Sequence, residues 1–358
     1  MTPYWLLLFV PWLAAIGGQK IENVVQAERP WGLGFQLYFI LLLMMVGWRH
    51  QVGGDWIHYL EPVELALNQS LTEALALPGD LAYNTLAWLS AHTGAGLYGV
   101  NILCAVVFSY GLMVFCQSSP RPWLSLAVAV PYLVIVVAMG YTRQGVAIGL
   151  VMLGLVALDK GSMAKFVIWV VVAALFHKTA LILIPMAIFA GRSNWVSIIG
   201  VLMTAVMMFL FLLAEHVDHL IAGYIADQYA SSGAAIRVAM NALPAAVFLA
   251  FRNRFDLSSA QRNFWTWMSI GGLAFIGLLA ISPSSTAVDR VALYWIPLQL
   301  YVWSRLPAAM AKTNIAQLPW VFGVLLYSFA VQFVWLFYAD HSFAWVPYQF
   351  YPWVWLWQ

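Results

Sequence analysis

Residues 138–149 read AMGYTRQGVAIG, and they place one permanently charged side chain, Arg143, between two apolar runs. The runs 123–139 and 146–158 are apolar enough to enter a membrane. A guanidinium keeps its proton in a protein, and a charge in or beside the hydrocarbon layer costs at least a few kcal/mol. The stretch therefore predicts that Arg143 meets an anion at one face of the membrane.

The composition of the whole chain indicates the class of protein. Of its 358 residues, 63% are hydrophobic and 8% are charged, whereas soluble domains carry about 25% charged residues. Polar intervals are short throughout, so no soluble domain can be separated from the rest. The composition predicts an all-α polytopic membrane protein, built as a single integral membrane domain over residues 1–358.

Apolar runs recur along the chain between short polar breaks, and a membrane span needs about 20 such residues. Matching runs to breaks predicts about 12 crossings or part-crossings. They lie at 4–18, 33–48, 97–116, 123–140, 144–158, 166–176, 178–190, 196–214, 237–251, 264–281, 288–304 and 316–338. Two stretches between spans, 52–96 and 215–236, are expected to form amphipathic or lid regions. Within the first, 57–67 and 81–92 are weakly amphipathic and are expected at the surface, with a short re-entrant helix as the alternative for 81–92.

The distribution of charge between alternate breaks predicts an orientation. One side holds eleven of the sixteen Lys and Arg residues, and the positive-inside rule makes that side cytoplasmic. The outer side holds ten of the fourteen acidic residues and all seven histidines. Its five basic residues lie at or near helix ends, against the insertion rule, and so call for a functional explanation. They are Arg49, Arg143, Lys178, Arg237 and Arg290.

The interval 165–192 is too short for two full crossings. Its runs 166–176 and 178–190 rise only about 17–20 Å at 1.5 Å per residue, whereas the hydrocarbon core is about 30 Å thick. The turn at His177 and Lys178 is therefore expected below the outer surface. A polar turn at that depth is tolerated only beside a wet cavity or under protein. The alternative is one tilted helix with His177 near the midplane.

Two short motifs add polar side chains on the predicted outer face. In GGDWIHY, residues 53–59, a helix that begins near Asp55 would carry His58 and Tyr59 on the same face as the carboxylate. The simpler alternative is that Asp55 caps the helix after a Gly-Gly turn. In YTRQ, residues 141–144, the alternative role for the arginine is to reach a lipid headgroup phosphate.

Two later stretches have a functional and a structural interpretation as well. SPSSTAVDRVALY, residues 282–294, places Asp289 beside Arg290 and Tyr294 one turn further on; the alternative is an internal ion pair that neutralises both charges. The aromatic C-terminal stretch, residues 345–358, is most simply a belt at the membrane interface, with sugar stacking as the alternative.

Five of these motifs occur in one order and on one predicted face: GGDxxxY, RQGVA, FHKTA, DRxxxY and WVPY. Together they resemble the EpsG-type members of the Wzy polysaccharide polymerases, over residues 53–348. The resemblance implies a membrane fold of the glycosyltransferase C type. It also implies an enzyme that joins undecaprenyl-diphosphate-linked oligosaccharides into a bacterial surface or secreted polysaccharide. The active site would face the periplasm from the inner membrane.

With that substrate, an acceptor hydroxyl would attack the anomeric carbon and undecaprenyl diphosphate would leave. Fixed cations would stabilise the charge that develops on the leaving group. Arg143 and Arg290 are the first candidates to bind the diphosphate, because guanidinium matches phosphate oxygens bidentately. His177 is the candidate general base or hydroxyl-orienting residue, since its unperturbed pKa of about 6.5 lies near the working pH. Asp55 is the competing base.

The remaining candidates are substrate-binding residues, among which Asp289 is the expected partner of Arg290. They are Arg49, His58, Tyr59, Gln144, Lys178, Arg237, Asp289 and Tyr294. No cluster of close carboxylates occurs in the sequence, so neither a divalent metal nor another cofactor is expected.

The expected partners are a lipid-linked glycan donor and acceptor, membrane lipid and a chain-length regulator protein, and no nucleic acid. Two other classes remain open: a transferase similar to O-antigen ligases, and a flippase or transporter of lipid-linked glycans. A transporter would need a polar path through the membrane and broken helices, whereas the unusual residues here collect on one face.

Overall fold

The computed structural model describes residues 1–17, 30–77, 79–190 and 233–356, with the isolated positions 199 and 203. Within these ranges the chain is helical and contains no β-strand, so the all-α prediction is confirmed. Five described helices are long and apolar enough to cross a membrane. They are Gly96–Gln117, Thr142–Asp159, Ala234–Phe251, Ser259–Ile281 and Asn314–Tyr338.

Shorter helices connect and accompany these five. The apolar ones are Thr2–Ile16, Leu33–Gly47, Pro122–Ala138, Met163–Ala174 and Lys178–Ile188. The others are Leu60–Ala66, Leu71–Ala76, Leu81–His92, Ser285–Ala292, Ile296–Met310 and Tyr351–Leu356. The bounds match most predicted spans, while the predicted span 196–214 and the lid residues 215–232 lie outside the described residues. The count of about 12 crossings stays a prediction.

Two compact units divide the chain. The first contains Met1–Leu153, Val172–Lys178 and Phe322–Gln358, and the second contains Gly154–Val171 and Thr179–Val321. The expected single integral domain stays a prediction. The residues around Arg143 belong to the first unit, and those around Arg290 belong to the second.

Small residues allow two helices of the first unit to cross at close range. A Cβ atom at Gly149 would lie 2.8 Å from the Cα of Phe108, and one at Gly111 would overlap the backbone of Gly149. Glycine at such positions lets helix backbones approach, which is a common way to associate helices in lipid. The Gly96–Gln117 helix therefore packs directly on Thr142–Asp159, the helix that carries Arg143.

The apolar segment before Arg143 is not a uniform α-helix. It is α-helical over Pro122–Ala129 and then forms a π-helix over Val130–Ala138. Pro131 lies at the start of the π segment, and because proline has no N–H it cannot donate the usual helical hydrogen bond. The indole Nε1 of Trp345 donates to the carbonyl of Ile135 at 2.7 Å, which holds this segment from the side.

The interval 165–192 contains two separate segments. Met163–Ala174 is α-helical, the backbone N–H groups of Phe176 and His177 both donate to the carbonyl of Ala173 at 3.0 Å, and a 3₁₀ segment begins at Lys178. The alternative of one tilted helix is therefore wrong. The depth of the turn in a membrane stays a prediction.

The aromatic-belt interpretation of the C-terminal stretch is wrong for its first half. Trp345 is only 2% exposed, and the hydroxyl of Tyr348 donates to the carbonyl of Met45 at 2.9 Å. The backbone N–H of Tyr351 donates to the carbonyl of Trp48 at 2.8 Å. These residues pack inside the first unit because their polar atoms find protein partners there. Two later tryptophans, Trp353 and Trp355, are each 65% exposed, as a belt would require.

Candidate functional site

Three of the motifs pack against one another immediately before Arg143. Gly53 has a φ of 106°, and a Cβ atom there would overlap the carbonyl oxygen of Met139. A Cβ atom at Gly140 would in turn overlap the indole ring of Trp345. Glycine is therefore required at both positions, at Gly53 also because its left-handed backbone disfavours other residues. This packing fixes the chain where the Thr142–Asp159 helix begins.

Arg49 also holds the chain where the Thr142–Asp159 helix begins. It is 1% exposed, and its guanidinium donates to the carbonyl of Val46 at 2.6 Å, to Asn101 Oδ1 at 3.1 Å and to Thr142 Oγ1 at 2.7 Å. A further bond reaches the carbonyl of Val52 at 3.3 Å. Arg49 was a candidate for binding phosphate, but the structure buries it among protein acceptors, next to the residue that precedes Arg143.

The Arg143 side chain remains 41% exposed. Its Nη1 donates to Asp80 Oδ2 at 3.0 Å. The guanidinium carbon lies 5.9 Å from the ring centre of Tyr59 and 5.8 Å from that of Tyr83, so two aromatic faces also attract the charge. The arginine is thus held on one side by protein groups, while its exposed part can meet a ligand.

Asp80 joins Arg143 to the turn that carries Lys178. Asp80 is 7% exposed, and its carboxylate also accepts from the backbone N–H of Lys178. The next helix is anchored to the same turn, because the backbone N–H of Ala82 donates to the carbonyl of Leu175 at 2.9 Å. Burial raises the pKa of Asp80, and the charges of Arg143 and Lys178 oppose that rise. We call Asp80, Arg143 and Lys178 the cation cluster.

Asp80 is not among the site residues that the sequence predicts. The available signal was an acid that directly follows Pro78-Gly79, at the start of the predicted amphipathic segment 81–92. That segment is helical over Leu81–His92, as predicted, and Tyr83 and Asn84 are among its buried residues.

The GGDWIHY motif places Tyr59 beside the cation cluster. Its ring centre lies 5.5 Å from that of Tyr83, and its backbone N–H donates to the carbonyl of Asp55 at 3.2 Å. Burial raises the pKa of Tyr59, and the charge of Asp55 raises it further. The prediction that His58 shares this face is wrong. A turn and the short 3₁₀ helix Ile57–Tyr59 replace the expected α-helix, so consecutive side chains diverge and His58 is exposed.

Two further predicted residues lie near the cluster in the chain. His177 is half-buried in the turn, directly before Lys178, and Gln144 is buried in the first turn of the Thr142–Asp159 helix, directly after Arg143. The structure therefore brings four of the predicted residues, Tyr59, Arg143, His177 and Lys178, to one region of the first unit.

The second unit contains the predicted residues Arg237, Asp289, Arg290 and Tyr294. Arg237 Nε donates to Asp289 Oδ1 at 2.5 Å, with side chains 13% and 12% exposed. The bond that the structure shows for Asp289 is to this arginine of the Ala234–Phe251 helix, whereas the sequence predicts a pair with its neighbour Arg290, whose side chain is adjacent on the helix and does not face it. Arg290 is exposed, and Tyr294 is 0% exposed.

Among the described residues, no group of three or more His, Cys, Asp or Glu side chains is arranged as metal ligands would be. The described site presents fixed cations, aromatic faces and titratable side chains.

The helices and the half-exposed cation cluster define a multi-pass helical membrane protein with a site suited to an anionic group. Its chain belongs to the EpsG family, whose model matches residues 34–350. Membership supports a role in polysaccharide biosynthesis. None of the curated proteins and none of the solved structures matches the chain.

Proposed function

We propose that this protein polymerises undecaprenyl-diphosphate-linked oligosaccharides into a bacterial polysaccharide at the periplasmic face of the inner membrane. The observation that carries the proposal is the cation cluster, in which Arg143 is fixed by Asp80 and two aromatic rings yet stays 41% exposed. A polymerase of the glycosyltransferase C type needs such a group, because its leaving diphosphate gains negative charge. Membership of the EpsG family, with the role in polysaccharide biosynthesis that it supports, favours a lipid-linked oligosaccharide as the substrate.

In the proposed reaction, the oxygen of an acceptor hydroxyl forms a bond to the anomeric carbon of a donor unit. The bond from that carbon to the diphosphate oxygen breaks, and undecaprenyl diphosphate takes the electron pair. Arg143 and Lys178 hold the diphosphate, and their fixed charges stabilise the transition state more than the ground state. Arg290 of the second unit is a further phosphate-binding candidate, and Arg237, Asp289 and Tyr294 would support it. A chain-length regulator protein is the proposed partner.

The proton of the acceptor hydroxyl goes to a general base, for which His177 and Asp55 are the two candidates. We expect His177→Ala to remove an ionisation near neutrality from the pH profile of kcat, if the imidazole is the base. Asp55→Asn would leave that ionisation in place. The matched control is His92→Ala, since His92 is an exposed histidine at the end of the Leu81–His92 helix and is not a candidate site residue. A His177→Ala profile identical to wild type would exclude the imidazole as base.

Reconstitution tests the function itself. Purified protein in liposomes, given only the lipid-linked oligosaccharide, is expected to produce a ladder of polymer lengths on a gel. A ligase-type transferase would extend nothing without a different acceptor, such as lipid A or a protein. A flippase would move the substrate across the bilayer without lengthening it. Absence of a ladder together with either of these activities would contradict the polymerase proposal.

A further inference from the structure

We propose that Asp80 is an internal counter-ion that competes with the diphosphate for Arg143 and Lys178, and so limits how tightly the site holds its lipid diphosphate product. This inference rests on the proposed function for the identity of the anion. It assigns Asp80 to the regulation of binding affinity rather than to proton transfer.

The first support is the geometry of the carboxylate. Asp80 accepts from Nη1 of Arg143 at 3.0 Å and from the backbone N–H of Lys178. Carboxylate and phosphate oxygens are the two anionic groups that guanidinium binds with the same hydrogen-bonding pattern. Asp80 therefore takes a place on the arginine that a phosphate oxygen would otherwise take.

The second support is that Asp80 does not perform the usual task of its position. It precedes the first residue of the Leu81–His92 helix, yet its side chain makes no capping hydrogen bond. In the same segment, Ser70 caps the Leu71–Ala76 helix and forms a reciprocal capping box with Glu73. Aspartate is a favoured capping residue. The carboxylate of Asp80 instead bonds Arg143 and the backbone N–H of Lys178, which requires another explanation.

The third support is the balance of charge. Asp80 is paired with Arg143 and bonded to the backbone of Lys178, whose charge also lowers the pKa of the carboxyl group; one carboxylate and two cations leave one positive charge in the cation cluster. That charge attracts an anion, while the nearby carboxylate weakens the attraction by a unit charge a few ångströms away. A polymerase must release its diphosphate before it can bind the next donor, and product release often limits turnover. Two cations whose attraction for diphosphate is reduced by Asp80 suit that cycle.

Inorganic diphosphate is the probe for the experiment, with binding measured by calorimetry on the full chain in nanodiscs. Asp80→Asn is expected to bind diphosphate about tenfold more tightly than wild type, because it keeps the shape of the side chain and removes its charge. Glu64→Gln is the matched control, since Glu64 is an exposed acid of the same polar segment. It is expected to leave the affinity unchanged.

Two further variants make the result specific. Lys178→Gln is expected to weaken diphosphate binding about tenfold, and the double variant Asp80→Asn/Lys178→Gln should return it close to wild type. In an Arg143→Gln background, where only Lys178 remains, Asp80→Asn should raise the affinity less than it does in the wild-type background. Melting temperatures of all variants, compared with wild type, exclude unfolding as the cause.

Unchanged or weaker binding in Asp80→Asn would overturn the inference, and so would an equal gain in Glu64→Gln. Neither result would affect the polymer ladder on which the proposed function depends. If Arg143→Gln alone left diphosphate binding intact, the inference would fail together with the phosphate-binding role of Arg143. A missing ladder with the expected binding pattern would instead contradict only the polymerase function.

Discussion

Arg143→Ala is expected to lower polymer formation by about 10²- to 10³-fold, the usual cost of removing one fixed group that stabilises developing negative charge. The structure holds this guanidinium on Asp80 and two tyrosine rings, with part of it exposed. Arg143→Lys should fall between wild type and alanine, because lysine keeps the charge and loses the planar bidentate geometry. The measurement is the polymer length distribution on gels, at matched protein levels.

The control for this prediction is Arg252→Ala. Arg252 is an exposed arginine that directly follows the Ala234–Phe251 helix, on the side predicted to be cytoplasmic. Its removal changes the net charge by the same amount and should leave polymer length unchanged. Polymer of wild-type length in the Arg143→Ala strain would end the proposed role of this residue.

Gly140→Ala is expected to destabilise the protein by about 3 kcal/mol, the upper range for adding a methyl group to a packed interior. The added Cβ would overlap the ring of Trp345. That ring is 2% exposed and its Nε1 is bonded to the carbonyl of Ile135, so it cannot turn aside without losing a buried hydrogen bond. Thermal unfolding in detergent should show a lower melting temperature, and polymer formation should fall with it.

Gly323→Ala is the matched control, because its added Cβ would meet no described atom outside its own helix within 4 Å. A helical alanine in open space is expected to be neutral or to stabilise by up to about 1 kcal/mol. The double variant Gly140→Ala/Trp345→Leu should recover part of the lost stability relative to the sum of its single variants, since the two changes share one contact. Wild-type stability of Gly140→Ala would show that Trp345 does not constrain this turn.

Most helix bounds could be predicted because the signal is local. The helix Leu81–His92 matches the predicted segment 81–92, because the Pro-Gly pair lies directly before it in the chain. The helix Leu33–Gly47 matches 33–48, because it coincides with an apolar run. Whether an apolar run forms one uninterrupted α-helix cannot be predicted from local sequence in the same way. The predicted span 288–304 is interrupted by the 3₁₀ turn Leu293–Trp295, and composition carries no signal for such a break.

Candidate residues could be predicted by type, but their partners could not. A charge on an apolar background is visible in the chain, and so Arg49, Arg143 and Arg237 were all selected. Their surroundings differ: Arg49 is buried among neutral acceptors, Arg143 is half exposed beside an acid, and Arg237 is paired with Asp289. The acid beside Arg143 comes from a helix 63 residues away, a separation at which sequence spacing gives no information.

Hydrophobicity and the placement of charge are properties of each segment, so the amino-acid order was sufficient to indicate a helical membrane protein with Arg143 at a helix end. Burial, by contrast, depends on which helices pack together. Only the folded chain could separate Arg49, which ties the backbone together, from Arg143, which stays partly exposed. The same packing brought Asp80 to Arg143 and to the turn at Lys178, because hydrogen bonds and ion pairs form between neighbours in space and not between neighbours in sequence.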